Sequence, residues 1–291
     1  MRVLVTGAKG FIGAGIAQAL AERRHNVYAC VGSSRDRFEV ENETLNIKYV
    51  HGDLLTSSQL PDNVDAVVHT AARSPWAGIS NSSLLKDNAL LTDRMIAYSK
   101  RVGVSRFIYL SSLSVYGDIS TETVDESTPI VNPGIYGVTK RVGEQLLQSE
   151  SQCLSSMSIR LPGVIGPKSV RNWMTQVLHA ARDGREIDAY NPQASFNNAA
   201  HVADITNFVS HLLDIEWSGT EIVNIAAGGE LSIRDAIQII VSGFGNRSRV
   251  VFREGGRPSF TISSARAMEQ FGYNPMKIDE MLKRFVCENL F

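Results

Sequence analysis

The sequence predicts an α/β fold built on a doubly wound parallel sheet, and three observations carry that prediction. Short strand-like runs, mostly apolar and β-branched, recur at residues 2–6, 27–31, 47–51, 64–70 and 106–110. Strands buried on both faces read in this way. Helical spacing of apolar residues appears between several of them, as in Ile12, Ile16, Ala19 and Leu20 or in Leu91, Met95 and Ile96. Strands alternating with helices pair in parallel. Lastly, Gly7, Gly10 and Gly13 follow the first run at three-residue spacing, where it passes into a helix.

A strand that turns through glycines into a helix is a phosphate site. Gly7 makes the tight turn, Gly10 admits a pyrophosphate to the backbone, and Gly13 lets helix and strand pack closely. The helix N-terminus supplies N–H groups and the positive end of its dipole.

Composition narrows the classes. A chain of 291 residues, 43% hydrophobic and 20% charged, builds a large core and two lobes. The net charge of −1 gives no reason to expect nucleic acid or an anionic membrane as partner. No apolar stretch reaches the ~20 residues that span a bilayer. The first residues form a strand with no charged and apolar leader, so no signal peptide is expected and a cytoplasmic location is. Cys30, Cys153 and Cys287 are odd in number and widely spaced, which reads as incidental thiols in a reducing compartment. No metal site is expected.

In chain order, a helix over residues 14–24 leads to the strand at 27–31, whose end meets the adenosine ribose in a doubly wound sheet. A carboxylate there bonds both ribose hydroxyls of NAD. Here Val31 is followed by Gly32, Ser33, Ser34 and Arg35, with Asp36 several residues late and Arg37 next. Hydroxyls with Arg35 suit a 2′-phosphate better, so NADP is preferred to NAD. The competing reading makes Arg35 and Arg37 solvated surface charges. Asp53, after the third strand, either accepts from an adenine amino group or serves as a turn residue. The fourth strand runs into Ala71 and Ala72, whose small size leaves room for a cofactor. His69 within it reads as a core histidine. Residues 74–87 read as a polar loop over the substrate cleft, and 88–102 as a helix ended by Gly103. The fifth strand leads to Ser111 and Ser112, and residues 118–133 read as a loop.

Tyr136 and Lys140 then open a helix reaching about residue 150. Four residues apart, they project from one face. A free phenol has a pKa of about 10, and a neighbouring ammonium favours its phenolate. Such a tyrosine exchanges a proton with a carbonyl or alcohol near neutral pH, and Ser112 is placed to hydrogen-bond the same oxygen. Further strands are expected near 158–161 and 222–226, and helices near 170–182, 205–213, 232–244, 265–271 and 278–290.

These segments in this order resemble the extended short-chain dehydrogenases/reductases of the NAD-dependent epimerase/dehydratase family. The segments are Thr6 to Gly13, His69 to Ala72, Ser111 to Gly117, Tyr136 with Lys140, Arg160 to Pro167, His201 to Asp204 and Val223 to Ala226. The resemblance implies a Rossmann NAD(P)-binding domain over residues 1–160 and a smaller α/β substrate domain over 161–291, with segments near 196–226 returning to the Rossmann core. It implies a catalytic trio of Ser112, Tyr136 and Lys140, with Tyr136 and Lys140 also touching the cofactor. It adds Phe11, Ile12, Leu54, Asn88 and Pro162 to the cofactor contacts. Ser74, Ser112, Ser114, Tyr136, Gly163 and Arg257 become the substrate contacts. It also implies a homodimer through the helices at 88–102 and 136–150, whose spare apolar positions are Leu91, Met95, Val142 and Leu146.

The departures are as informative. Family dehydratases carry an Asp–Glu pair where this chain has Leu113 and Ser114, so the groups for water loss are missing. Nucleotide-sugar epimerases commonly place an asparagine in the region that here reads Pro162, Gly163, Val164. Arg257 keeps the arginine that often meets a diphosphate, but the aspartate usual a few residues later is absent. The expected activity is therefore reduction of a nucleotide-sugar 4-keto group with NADPH. A nucleotide-sugar 4-epimerase with tightly bound NAD, a reductase of a smaller carbonyl compound, and a dinucleotide-sensing protein without turnover are the alternatives.

Overall fold

The computed structural model describes residues 1–32, 46–56, 60–76, 78–167, 169–170, 172–256 and 258–290. The chain folds as two compact units, the first made of residues 1–117, 130–160 and 206–223, the second of 118–129, 161–205 and 224–291.

The first unit opens with β1 (Arg2–Thr6), α1 (Phe11–Glu22), β2 (Asn26–Val31), β3 (Ile47–His51) and β4 (Ala66–His69). Next come α2 (Asn81–Leu84), a π-helical turn (Leu85–Leu90), α3 (Leu91–Val102) and β5 (Arg106–Ser112), which ends in a 3₁₀ turn (Leu113–Val115). The second unit contributes β6 (Thr123–Val124), and the first resumes with α4 (Ile135–Ser149) and β7 (Ser155–Leu161). There follow β8 (Gly163–Ile165), α5 (Trp173–Asp183), β9 (Ile187–Tyr190), β10 (Ser195–Phe196) and β11 (Ala199–His201), then α6 (Val202–Asp214) and β12 (Thr220–Asn224). The chain closes with β13 (Leu231–Ser232), α7 (Ile233–Gly243), β14 (Val250–Arg253), β15 (Thr261–Ile262), α8 (Ala265–Phe271) and α9 (Ile278–Cys287).

Among the described residues, seven strands form one parallel sheet in the order β12-β7-β5-β4-β1-β2-β3. Crossing from β3 back through β1 to β4 and β5 reverses the strand order between β1 and β4. The C-terminal ends of these strands therefore meet at a switch point, where doubly wound sheets bind ligands. Leu4, Val67, Met95, Phe107, Tyr109 and Leu147 form the core of this unit. In the second unit, α5, α7 and α9 pack Leu178, Ile237, Ile240, Met281 and Phe285 together. Asn172 and Ser232 cap α5 and α7, accepting from the backbone N–H groups of Thr175 and Asp235.

Several boundaries differ from expectation, four of them near the site or its connections. The fourth strand stops at His69, because the Thr70 N–H turns to the Thr6 hydroxyl at 3.1 Å rather than staying in the ladder. The fifth strand extends to Ser112, since Ser111 is held in the interior. The expected loop at 74–87 contains α2, which Ser80 starts by accepting from the Ser83 N–H at 3.1 Å. The expected loop at 118–133 contains β6, which pairs in parallel with β15. Leu91 and Met95, expected to be spare for a partner, are 8% and 0% exposed and belong to this unit's own core. The π-helical turn instead exposes Leu85 and Leu90 at 41% and 59%.

At the first turn, Gly7 has φ +68, and a Cβ there would lie 2.8 Å from Thr70 Oγ1. A Cβ on Gly13 would overlap the carbonyl of Gly7. Gly13→Ala is therefore expected to destabilise the first unit by about 1–3 kcal/mol, the usual range for overpacking a tight contact. Denaturant unfolding measures this, and an unchanged midpoint would show that helix and turn separate freely.

Candidate active site

The site begins at Thr6, the last residue of β1. Its buried Oγ1 accepts from the N–H groups of Thr70 and Ala71, each at 3.1 Å, and bonds His69 Nδ1 at 2.7 Å. Thr70 Oγ1 donates back to the Thr6 carbonyl at 2.6 Å. On its other side, His69 Nε2 lies 3.1 Å from Thr92 Oγ1, whose hydroxyl donates to the Asn88 carbonyl at 2.7 Å. Thr92 therefore accepts from His69, which carries its proton on Nε2 and accepts from Thr6 on Nδ1. Burial, with the Lys140 charge nearby, lowers the His69 pKa to about 3. His69 is the core histidine expected of it.

Beside this junction, Gly10 starts α1 with no side-chain cap, so the N–H groups of Phe11, Ile12 and Gly13 face out of the helix end. A Cβ on Gly10 would meet only the Gly7 carbonyl, at 3.1 Å. A bare helix end over a glycine turn, flanked by Ala71 and Ala72, fits the pyrophosphate of a dinucleotide in charge and space. Asp53 follows β3, with one carboxylate oxygen accepting from the Leu55 N–H at 2.9 Å, and Leu54 is partly packed into the core. Ser33, Arg35 and Arg257 lie outside the described residues.

Asn88, expected to contact the cofactor, is held by bonds within the protein. Its amide nitrogen donates to the Arg73 carbonyl and to Thr139 Oγ1, both at 3.1 Å, while its oxygen accepts from the Arg73 N–H at 2.7 Å. At 1% exposure, its side chain clamps the segment after Ala72 to α4. Ser74, half-buried, continues that segment.

The proton-transfer groups stand where β5 ends and α4 begins. Ser112 Oγ accepts from the Ser114 N–H and donates to Ser114 Oγ, both at 3.1 Å. Gly137 lets α4 approach this turn, since a Cβ there would overlap the Ser114 carbonyl. Tyr136, beside Gly137, thereby stands near the turn that holds Ser112, whose own hydrogen bonds go to Ser114. Burial raises the Tyr136 pKa and the nearby Ser112 hydroxyl opposes it. The expectation that a neighbouring ammonium lowers this phenol is corrected: desolvation prevails, and Tyr136 is protonated at neutral pH. Lys140 is 3% exposed, donates to the Leu110 carbonyl at 2.8 Å, and lies 4.8 Å from the Tyr109 ring centroid. Burial lowers its pKa to about 7, against the pull of Glu144.

Pro162 and Gly163 belong to the second unit, where Gly163 opens β8 and pairs with Ala199 of β11. Among the described residues, no group of three or more His, Cys, Asp or Glu is arranged to hold a metal ion, and no helix is long and apolar enough to cross a membrane.

The Lys140 value has a consequence for stability. Its folded pKa of about 7 lies below the ordinary 10.5. The unfolded chain therefore binds more protons between these values, and the associated stability is complete above the upper value and lost as pH falls through the lower one. Lys140→Met should flatten the dependence of melting temperature on pH across that window. Parallel curves for the two proteins would contradict burial of the amine.

Comparison with known proteins agrees with this geometry. The model of the NAD dependent epimerase/dehydratase family matches residues 3–226. A dTDP-glucose 4,6-dehydratase of Streptomyces antibioticus is 27% identical over 306 residues, covering 95% of this chain and 88% of the relative. A dTDP-4-dehydro-6-deoxy-D-allose reductase of a Streptomyces species is 25% identical over 303 residues, covering 95% and 92%. The crystal structure of UDP-glucuronic acid 4-epimerase from Bacillus cereus in complex with NAD superposes with a TM-score of 0.85 at 22% identity, covering 99% of this chain and 98% of that one. The chain, with its glycine turn, doubly wound sheet and Ser112–Tyr136–Lys140 constellation, belongs to the NAD-dependent epimerase/dehydratase family of extended short-chain dehydrogenases/reductases.

Proposed function

We propose that this protein reduces a 4-keto group on a nucleotide-activated sugar, with Tyr136 as proton donor. The observation that carries this reading is the close approach of the Tyr136 end of α4 to the Ser112 turn, whose next two residues are Leu113 and Ser114. That turn holds no carboxylate for the water loss of a dehydratase. When bound at the glycine turn, a nicotinamide dinucleotide supplies the two-electron hydride couple. With that couple reducing the carbonyl carbon, Tyr136 Oη would give the proton to its oxygen. Ser112 Oγ, near Tyr136, polarises the same oxygen. The Lys140 ammonium, one helical turn from Tyr136, offsets the phenolate charge left behind. Gly163 and Arg257 are assigned to the substrate with Ser74 and Ser114, while Leu54 and Pro162 complete the cofactor contacts.

A second reading, a nucleotide-sugar 4-epimerase, uses the same three residues, and the NAD-bound epimerase of like fold supports it. Both pass through a 4-keto sugar. A dissociable NADPH is the fitting partner for net reduction, and the end of β2 at Val31, with Ser33 and Arg35 following and no carboxylate before Asp36, supports NADP over NAD. Free, exposed Cys153 and Cys287 suit a reducing compartment such as the cytoplasm. A homodimer through α4 and the π-helical turn that leads into α3 would use the exposed Leu85 and Leu90 with the partly buried Val142 and Leu146.

Three measurements test these assignments. Tyr136→Phe should cut turnover by about 10²–10⁴ while cofactor binding persists, and full activity would remove Tyr136 from the mechanism. Arg35→Ala should weaken NADP(H) relative to NAD(H) by about ten- to a hundredfold, as the loss of a charge-assisted hydrogen bond predicts. Equal losses for both would make Arg35 a surface charge. With a dTDP- or UDP-4-keto hexose, reduction should consume one NADPH per sugar. Accumulation of the 4-epimer from a UDP-hexose with no net NADPH oxidation would install the epimerase reading instead.

A further inference from the structure

One helical turn beyond Lys140, α4 carries Glu144, whose side chain is fully buried. Its carboxylate accepts from Ser111 Oγ at 2.7 Å, from Arg160 Nε at 2.8 Å and Nη2 at 2.7 Å, and from Arg141 Nη1 at 3.0 Å. Arg160, on β7, is itself 3% exposed. Its Nη1 donates to Tyr116 Oη at 2.7 Å, and its guanidinium carbon stands 4.8 Å from the Tyr116 ring centroid. The Glu144–Arg160 pair thus joins the residue before Ser112, the residue that closes the Ser114 turn, and the helix that presents Tyr136 and Lys140. Such a pair is a poor device for stability alone, because the desolvation of both charges cancels most of their attraction.

We propose that the Glu144–Arg160 pair is a positioning device for the proton-transfer site, locking Ser112 in register with Tyr136 and supplying the negative charge that faces the buried Lys140 ammonium. The proposal deepens the reading of Ser112, Tyr136 and Lys140 given above and rests on it. Among the described residues, the groups that face Lys140 are few. On its own helix stand Tyr136 and Glu144, from β4 comes the neutral His69, and from β5 come the Tyr109 ring and the Leu110 carbonyl. Glu144 is the one carboxylate among them. Burial alone would push the Glu144 carboxyl up, but the hydrogen bonds and charge of Arg160 hold it below its ordinary value, so it stays ionised. Arg160 thereby keeps the charge, and Glu144 applies it to Lys140.

The test reads Lys140 directly, without any sugar substrate. The ¹³Cε resonance of Lys140, assigned by its loss in Lys140→Met, is titrated in the wild type, Glu144→Asp, Glu144→Gln and the double variant Glu144→Gln/Arg160→Met. The expected result is a midpoint lower by about one pH unit or more in both variants free of the Glu144 charge, as loss of an opposite charge one helical turn away predicts, and retained in Glu144→Asp. Ser111→Ala, which cuts the tie to β5 and leaves the charges alone, should keep the midpoint and lower kcat with KM unchanged, assayed with a dTDP-4-keto hexose and NADPH. An unmoved midpoint in a folded variant free of that charge, failure of both such variants to fold, or full kcat in Ser111→Ala would each overturn the proposal. A shifted midpoint in a protein that turns over no nucleotide sugar would instead reject the proposed function and leave the electrostatic role of Glu144 standing.

Discussion

A single oxygen atom governs how the first unit meets its ligands. Thr6 Oγ1 binds the backbone N–H groups of Thr70 and Ala71 and the ring of His69, all in the dry interior. A buried hydroxyl with one proton and two lone pairs is fully used by this arrangement. The ends of β1 and β4 are thereby fastened together where the strand order reverses. The consequences run outward: β4 stops at His69, Ala71 comes up against the Gly7 turn, and α1 begins with its N–H groups uncapped. His69 completes the chain of contacts to Thr92 and Asn88, and Asn88 carries it to Thr139 on α4. The glycine turn and the Tyr136 helix are thus parts of one hydrogen-bonded framework.

Burial sets the protonation states of that framework more strongly than neighbouring charge does. His69 is held neutral, Lys140 has its pKa lowered to about 7, and Tyr136 is held protonated, each with desolvation as the leading cause. Glu144 is the exception, because Arg160 and Ser111 satisfy its carboxylate.

Much of this was legible in the residues. The spacing of Gly7, Gly10 and Gly13 gave the turn, because a strand entering a helix at such short range tolerates no Cβ at Gly13. The four-residue interval between Tyr136 and Lys140 gave their common helix face. The strand-like runs gave the sheet, since strands covered on both faces leave little freedom in composition. What escaped was whatever depends on two distant segments meeting. The bonds of Asn88 to Arg73 and Thr139 are of this kind, fixed only when α4 packs on the π-helical turn. Leu91 and Met95 have the spacing of a partner face, and the same spacing serves the unit's own core. The Glu144–Arg160 pair left one trace, a charged residue inside the strand-like run ending at Leu161, with no local pattern to name its partner.

The activity proposed for this chain is redox chemistry at a sugar carbon, carried out on the framework that Thr6 holds together. The most direct measurement uses NADPH deuterated at the transferable position of its nicotinamide ring and a dTDP-4-keto hexose, with the product examined by NMR. The account predicts deuterium on the sugar carbon that bore the keto group, on one face only. A reduced or rearranged sugar with no deuterium at that carbon would contradict it.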